Sequence, residues 1–138
     1  MSPELVRIIN LFNRAQARAI DVLEQDFGCP RPIDCMDFIG RCVPIIRDKN
    51  YIANGRKIRP HGIGMVVETE KEKIDFDFGK NGEFTGFDSY RLANYIRLNK
   101  VQTTLDSEEK VKKEFEKAIK SSLLRKGTGM GNVYYLNS

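Results

Sequence analysis

Between His61 and Phe78 the apolar residues fall at every second position. Ile63, Met65 and Val67 alternate with Gly62, Gly64, Val66 and Glu68, and Ile74, Phe76 and Phe78 alternate with Asp75 and Asp77. Successive side chains of a strand point to opposite faces, so a period of two writes strands that bury one face of a sheet. The charged run Glu70-Lys71-Glu72-Lys73 between them reads as a turn. Asn81-Gly82 follows at once, and this dipeptide is the strongest short hairpin signal. The pattern predicts an antiparallel meander over about 61–69, 73–79 and 84–87, with 132–136 as a candidate further strand. A slip of one residue would turn the apolar set to solvent, so the two faces are well specified.

Outside this block the spacing is helical. Ser2-Pro3 is a good helix start, and Leu5, Ile8, Ile9, Phe12, Ala15, Ala19, Leu23 and Phe27 recur on one face. Gly28 and Pro30 stop that helix, predicted at about 3–27 with Arg7, Arg14 and Arg18 outward. Pro32 to Val43 reads as a short helix, capped by Asp34 and ended by Pro44. Residues 45–60 are open between a small hairpin and an extended loop around Asn54-Gly55. Asp88 is placed to cap a helix over 89–99 with Leu92, Tyr95 and Ile96 inside. Asp106 with Glu109 has the form of a capping box for a helix over 107–126, striped by Val111, Phe115, Ile119 and Leu123. The alternate glycines Gly127, Gly129 and Gly131 read as a flexible connection before a last strand at Val133–Leu136.

The expected class is therefore α+β: a meander packed against about four α-helices in a single domain over 1–138. A chain of 138 residues buries roughly two thirds of its unfolded surface, which is enough to fold without a disulfide or a metal. Cys29, Cys35 and Cys42 match no zinc spacing and are odd in number, so they read as reduced thiols. No apolar run reaches 18 residues, and the N-terminal sequence lacks the form of a secretory signal. The expectation is a cytoplasmic protein with no membrane partner and no cofactor.

Charge is unevenly spread. Residues 1–60 hold 10 Lys and Arg against 7 Asp and Glu; residues 61–90 hold 3 against 7; residues 91–138 hold 10 against 5. An acidic island thus lies between basic flanks, and such asymmetry bears on partners.

If the Glu70–Lys73 turn is symmetric, Val67 faces Phe76 and Met65 faces Phe78 on the buried side. Glu68 then faces Asp75, and Val66 faces Asp77, on the other side, with Phe84 joining that face through a two-residue Asn-Gly turn. Paired carboxylates there could hold a metal ion, split their pKa values for acid/base work, meet a basic partner, or simply be solvated. His61 has the parity of Ile63 and Met65, which suits a buried histidine at the end of the apolar face. Gly62 and Gly64 suggest close backbone approach or a bulge, and they form no phosphate loop, because no Gly-Lys-Ser/Thr follows. Asp88 and Arg91 read as a helix cap with an ion pair. Nothing has the form of a nucleophile elbow, a Cys/His pair or a zincin motif, so no catalytic residue and no metal ligand is assigned. Arg47, Lys49, Arg56, Lys57 and Arg59 around Tyr51 raise nucleic-acid binding, without any helix-turn-helix, zinc-finger or RNP pattern to support it.

The order His61-Gly-Ile-Gly64, Asp75-Phe-Asp-Phe-Gly79 and Gly86-Phe-Asp-Ser-Tyr-Arg-Leu92 resembles an uncharacterised bacterial domain family that shares HG-x-G, DFDFG and GFD-x-[WY]-RL. The resemblance covers about 60–98, with Tyr90 where Trp is common. Such small proteins are similar to immunity proteins of bacterial toxin systems, contact-dependent growth inhibition among them. The resemblance implies an antitoxin-like, non-enzymatic inhibitor that binds a cognate toxin domain. On this reading Glu68, Asp75, Asp77 and Phe84 are the contacts, and His61, Gly62, Gly64, Gly79, Asp88 and Arg91 brace the fold. Because only the 61–90 island is acidic, either that island meets the toxin or the basic flanks meet an acidic one. The alternatives are a small metal-dependent hydrolase or nuclease centred on His61, Asp75 and Asp77, and, weaker, a nucleic-acid-binding module.

Overall fold

The computed structural model describes residues 3–33, 35–61, 64–69, 71–77, 86–127 and 133–137. The class is α+β. In chain order the elements are α1 (Pro3–Gln25), α2 (Cys35–Asp37), a π-helical turn (Phe38–Cys42), α3 (Val43–Asp48), β1 (Ile52–Ala53), β2 (Arg56–His61), β3 (Gly64–Glu68), β4 (Lys73–Asp77), α4 (Ser89–Leu98), α5 (Glu108–Lys120), β5 (Leu124–Lys126) and β6 (Tyr134–Leu136). Contacts divide them into two units, one holding residues 3–13 and 86–137 and the other residues 14–77. The helix α1 contributes to both.

In the unit holding 14–77, the sheet runs β1-β2-β3-β4, antiparallel throughout. Asn54 and Gly55, at φ 50° and 75°, form the two-residue loop between Ala53 and Arg56. Two positive φ values in such a loop are the mark of a type I′ turn, so 45–60 contains the hairpin rather than the loop. One buried row crosses the sheet through Ile58, Val67 and Ile74, each at most 2% exposed. The β3–β4 pairing differs from expectation by two residues: Met65 lies opposite Phe76, Val66 opposite Asp75 and Glu68 opposite Lys73. The cause is Thr69. Its amide donates to the Glu72 carbonyl at 2.8 Å, and its hydroxyl accepts from the Lys71 and Glu72 amides. The turn therefore closes tightly at 69–72 instead of spanning 70–73 symmetrically. A shift of two keeps every side chain on its expected face.

Pro44 does not end the second helix. The π-helical turn Phe38–Cys42 precedes it, with the Val43 amide bonded to the Phe38 carbonyl. That offset sets Pro44 in the first turn of α3, where an N–H is not required. Asp34, the expected cap, lies outside the described residues. Asp37 instead accepts the Ile33 amide at 2.8 Å and holds the Arg41 guanidinium. Cys29 and Cys42 are free, buried thiols; Cys42 Sγ donates to the Pro30 carbonyl at 3.3 Å.

In the other unit an aromatic chain forms the centre. Phe12 packs edge-on against Phe87 and Tyr95, Phe87 against Phe115, and Phe115 against Tyr134, with centroids 5.0–6.4 Å apart. Asp88 caps α4, its carboxylate accepting the Arg91 amide at 2.7 Å, and Leu92, Tyr95 and Ile96 are buried as expected. Ser107, not Asp106, caps α5, and Asp106 turns to the Lys110 ammonium at 2.7 Å. The helix stops at Lys120 because Ser122 takes φ 63° and the Leu123 amide returns to the Ala118 carbonyl. Leu123 thus leaves the helix, and Ala118 replaces Ile119 in the buried stripe with Val111 and Phe115.

Among the described residues no strand covers 84–87. Phe84 and Thr85 lie outside them, and Phe87 makes an isolated bridge to Tyr134. Likewise β6 pairs with β5 in a sheet of its own rather than joining the meander.

Candidate functional site

The four-stranded sheet sets the polar face that the sequence singled out. Opposite the Ile58 row, β2 brings its own residues into register with β3 and β4. Lys57 lies across from Glu68, which lies across from Lys73; Arg59 lies across from Val66, which lies across from Asp75. His61 pairs with Gly64, and Gly64 with Asp77. In register His61 thus falls in the row of Gly64 rather than in that of Met65, where it was expected.

This register changes the electrostatics of the face. Lys57 and Arg59 on β2 are exposed, Glu68 and Lys73 are half-buried, and Asp75 is buried at 8% exposure. Glu68 Oε1 stands 3.7 Å from Lys73 Nζ, so its charge is partly answered within the sheet. Asp75 is not a free carboxylate. Among the described residues of this face, the cations Lys57 and Arg59 are exposed while Asp75, in the same row as Arg59, is buried. Of the expected partner contacts, Glu68 is half-buried and Asp75 buried; the Asp77 side chain and Phe84 lie outside what is described, as do Gly62 and Gly79. Asp88 and Arg91 sit apart from this face in sequence and unit, joined to one another at the start of α4 with Arg91 Nε 3.7 Å from Asp88 Oδ2.

Two of the five cations foreseen around Tyr51, Lys49 and Arg56, are committed to structure. Asp26, just past the end of α1, gathers them: Asn54 Nδ2 donates to its carboxylate at 3.2 Å, Arg56 Nε stands 3.6 Å away, and Lys49 Nζ donates to its backbone carbonyl. These contacts pin the β1–β2 hairpin to the helix end, while Arg47, Lys57 and Arg59 are exposed. Beside them a polar groove of about 320 Å³ runs between α1 and the β3–β4 turn, crossed by the ion pair of Arg18 and Glu72.

Among the described residues, no three His, Cys, Asp or Glu side chains gather as a metal ion would require. No helix among them is long and apolar enough to cross a membrane.

Sequence reasoning missed the roles of Arg18, read on the outward side of its helix, of Glu72, read as part of a charged turn, and of Asp26, which it did not single out. The signal for Asp26 was its position beside Gly28, where a helix end meets the next chain segment. Nothing in the sequence pairs residue 18 with residue 72.

Neither the curated proteins nor the solved structures hold a match to the chain. A family model described as a domain of unknown function, DUF6896, matches residues 5–136, and the chain belongs to that family.

Proposed function

We propose that this member of the DUF6896 family is a binding protein that neutralises a cognate bacterial toxin domain by direct association, without catalysis of its own. The observation that carries the reading is the exposed pair Lys57 and Arg59 on an antiparallel sheet, with Asp75 buried in the same row as Arg59. A preformed charged surface steers association and fixes register with a partner of opposite sign. On this reading the partner's contact surface is acidic and meets the basic strand β2. The motif resemblance over about 60–98 supports the class of partner.

The test is co-expression of the chain with the product of the reading frame immediately upstream, scored by growth and by binding of the purified proteins. The wild-type chain restores growth and binds. The charge-reversed variant K57E/R59E stays folded and binds roughly tenfold more weakly, because exposed rim charges act mainly on association. A wild-type chain that neither binds nor protects overturns the reading, and undiminished binding by K57E/R59E removes the sheet face from it.

One observation favours the enzymatic alternative: the register sets His61 and Asp77 on either side of Gly64 in a single cross-strand row. That reading requires a hydrolytic activity that disappears in H61A while the fold survives.

A further inference from the structure

We propose that the groove between α5 and the β5–β6 ribbon is a docking site for an acidic protein segment that carries an apolar side chain. The groove encloses about 470 Å³. Phe115, Ile119 and Tyr134 make its floor, and Lys112, Lys120 and Lys126 stand around it. These residues differ from those of the sheet face and lie in the other unit.

The floor exists because of the way α5 is rotated. Val111, Phe115 and Ala118 turn inward, which leaves Ile119 at 39% exposure on a helix whose other outward residues are mostly Lys and Glu. An exposed isoleucine alone means little. Here it lines one groove with the half-buried Tyr134 and the buried Phe115, and Lys112, Lys120 and Lys126 line that groove too. Lys112 leans on Glu108 at 3.5 Å, with both side chains largely in solvent. Lys120 and Lys126 make no ion pair among the described residues. An apolar floor inside a ring of ammonium groups is complementary to an apolar side chain flanked by carboxylates.

Protein fits better than nucleic acid. A single strand binds such a groove by stacking bases on open aromatic faces. Phe115 is only 3% exposed, and its ring is turned against Tyr134 at an interplanar angle of 64°. Glu116 also lines the groove, where its carboxylate can accept an amide N–H from a peptide backbone.

The experiment is selection of a random-peptide phage library on the full chain, with counter-selection on K120E/K126E. Enriched sequences are rich in Asp and Glu around one Leu, Ile, Met or Phe. A synthetic copy of the best sequence binds the wild-type chain and binds K120E/K126E or I119S roughly tenfold more weakly. Circular dichroism shows both variants folded, since all three side chains are exposed. Two results overturn the proposal: no enrichment over the counter-selected variant, or enriched peptides without net negative charge. A single-stranded DNA 12-mer that competes with the peptide and binds more tightly also overturns it, and assigns the groove to nucleic acid. This selection needs no toxin, so its outcome is independent of the growth test above.

Discussion

Arg18, in the middle of α1, reaches the β3–β4 turn and holds both oxygens of the Glu72 carboxylate with its Nε and one terminal nitrogen, the latter at 2.7 Å. The Glu72 side chain is 10% exposed and the Arg18 side chain 53%. A two-point pair of this kind is stronger than a single exposed contact. R18M leaves a nearly buried carboxylate without this partner, and is expected to lower stability by about 1–2 kcal/mol in urea titration. The double variant R18M/E72M should recover part of that loss. A loss in the double variant equal to the sum of the losses in R18M and E72M would show the pair to contribute nothing.

Gly86 has no room for a side chain. A Cβ built there would lie 2.6 Å from Val133 Cγ1 and 2.9 Å from Tyr135 Cε1. G86A is expected to destabilise by about 1–3 kcal/mol through overpacking. V133A removes the nearest obstacle, so G86A/V133A should be less unstable than the sum of the two changes. Strict additivity in thermal melts would contradict the contact.

Asp37 is held below the ordinary aspartate value of 3.8, first by its hydrogen bonds with the Arg41 guanidinium and then by the Ile33 amide. A carboxyl depressed in the folded chain contributes stability that is fully present above the unfolded value. That contribution is lost as pH falls through the folded value. NMR titration should place the Asp37 midpoint below 3.8 in the wild-type chain and move it upward in R41A. An unmoved midpoint would assign the depression to another group.

Lys100 and Ser122 occupy left-handed backbone, at φ 51° and 63°, just past the ends of α4 and α5. Only glycine takes this conformation without steric cost, and helix ends favour it there. K100G and S122G are each expected to raise stability by about 0.5–1 kcal/mol. A lower unfolding midpoint in both would count against strain at these positions.

Much of the fold is written in periodicity, where burial depends on local spacing. The eight apolar residues assigned to the inner face of the first helix, from Leu5 to Phe27, are all buried as the helical pattern requires. Met65, Val67 and Ile74 keep their expected faces even though the register moved by two. What escaped the sequence depends on partners far along the chain or on one hydroxyl. Thr69 set the register; Ser122 ended α5 before Leu123; the π-helical turn carried the helix past Pro44. Strand β2 holds Arg56, Lys57, Ile58, Arg59 and Pro60, with a single aliphatic residue among them, so no alternation announced it. The candidate site suffered most from that omission. Its acids were legible as residue types, but the cations that β2 lays beside them, and the burial of Asp75, follow from strand order.

The unit holding residues 3–13 and 86–137 is interrupted in sequence by the whole of the other. The consequence is one of timing. As a ribosome extends the chain, residues 14–77 are complete while the ring partners of Phe12, namely Phe87 and Tyr95, are still untranslated. Folding of the inner segment brings its two ends to fixed positions and shortens the free loop that must close afterwards, which lowers the entropy cost of joining Phe12 to Phe87. Until then the apolar side of Leu5–Phe12 waits uncovered, the stretch of nascent chain most in need of a chaperone.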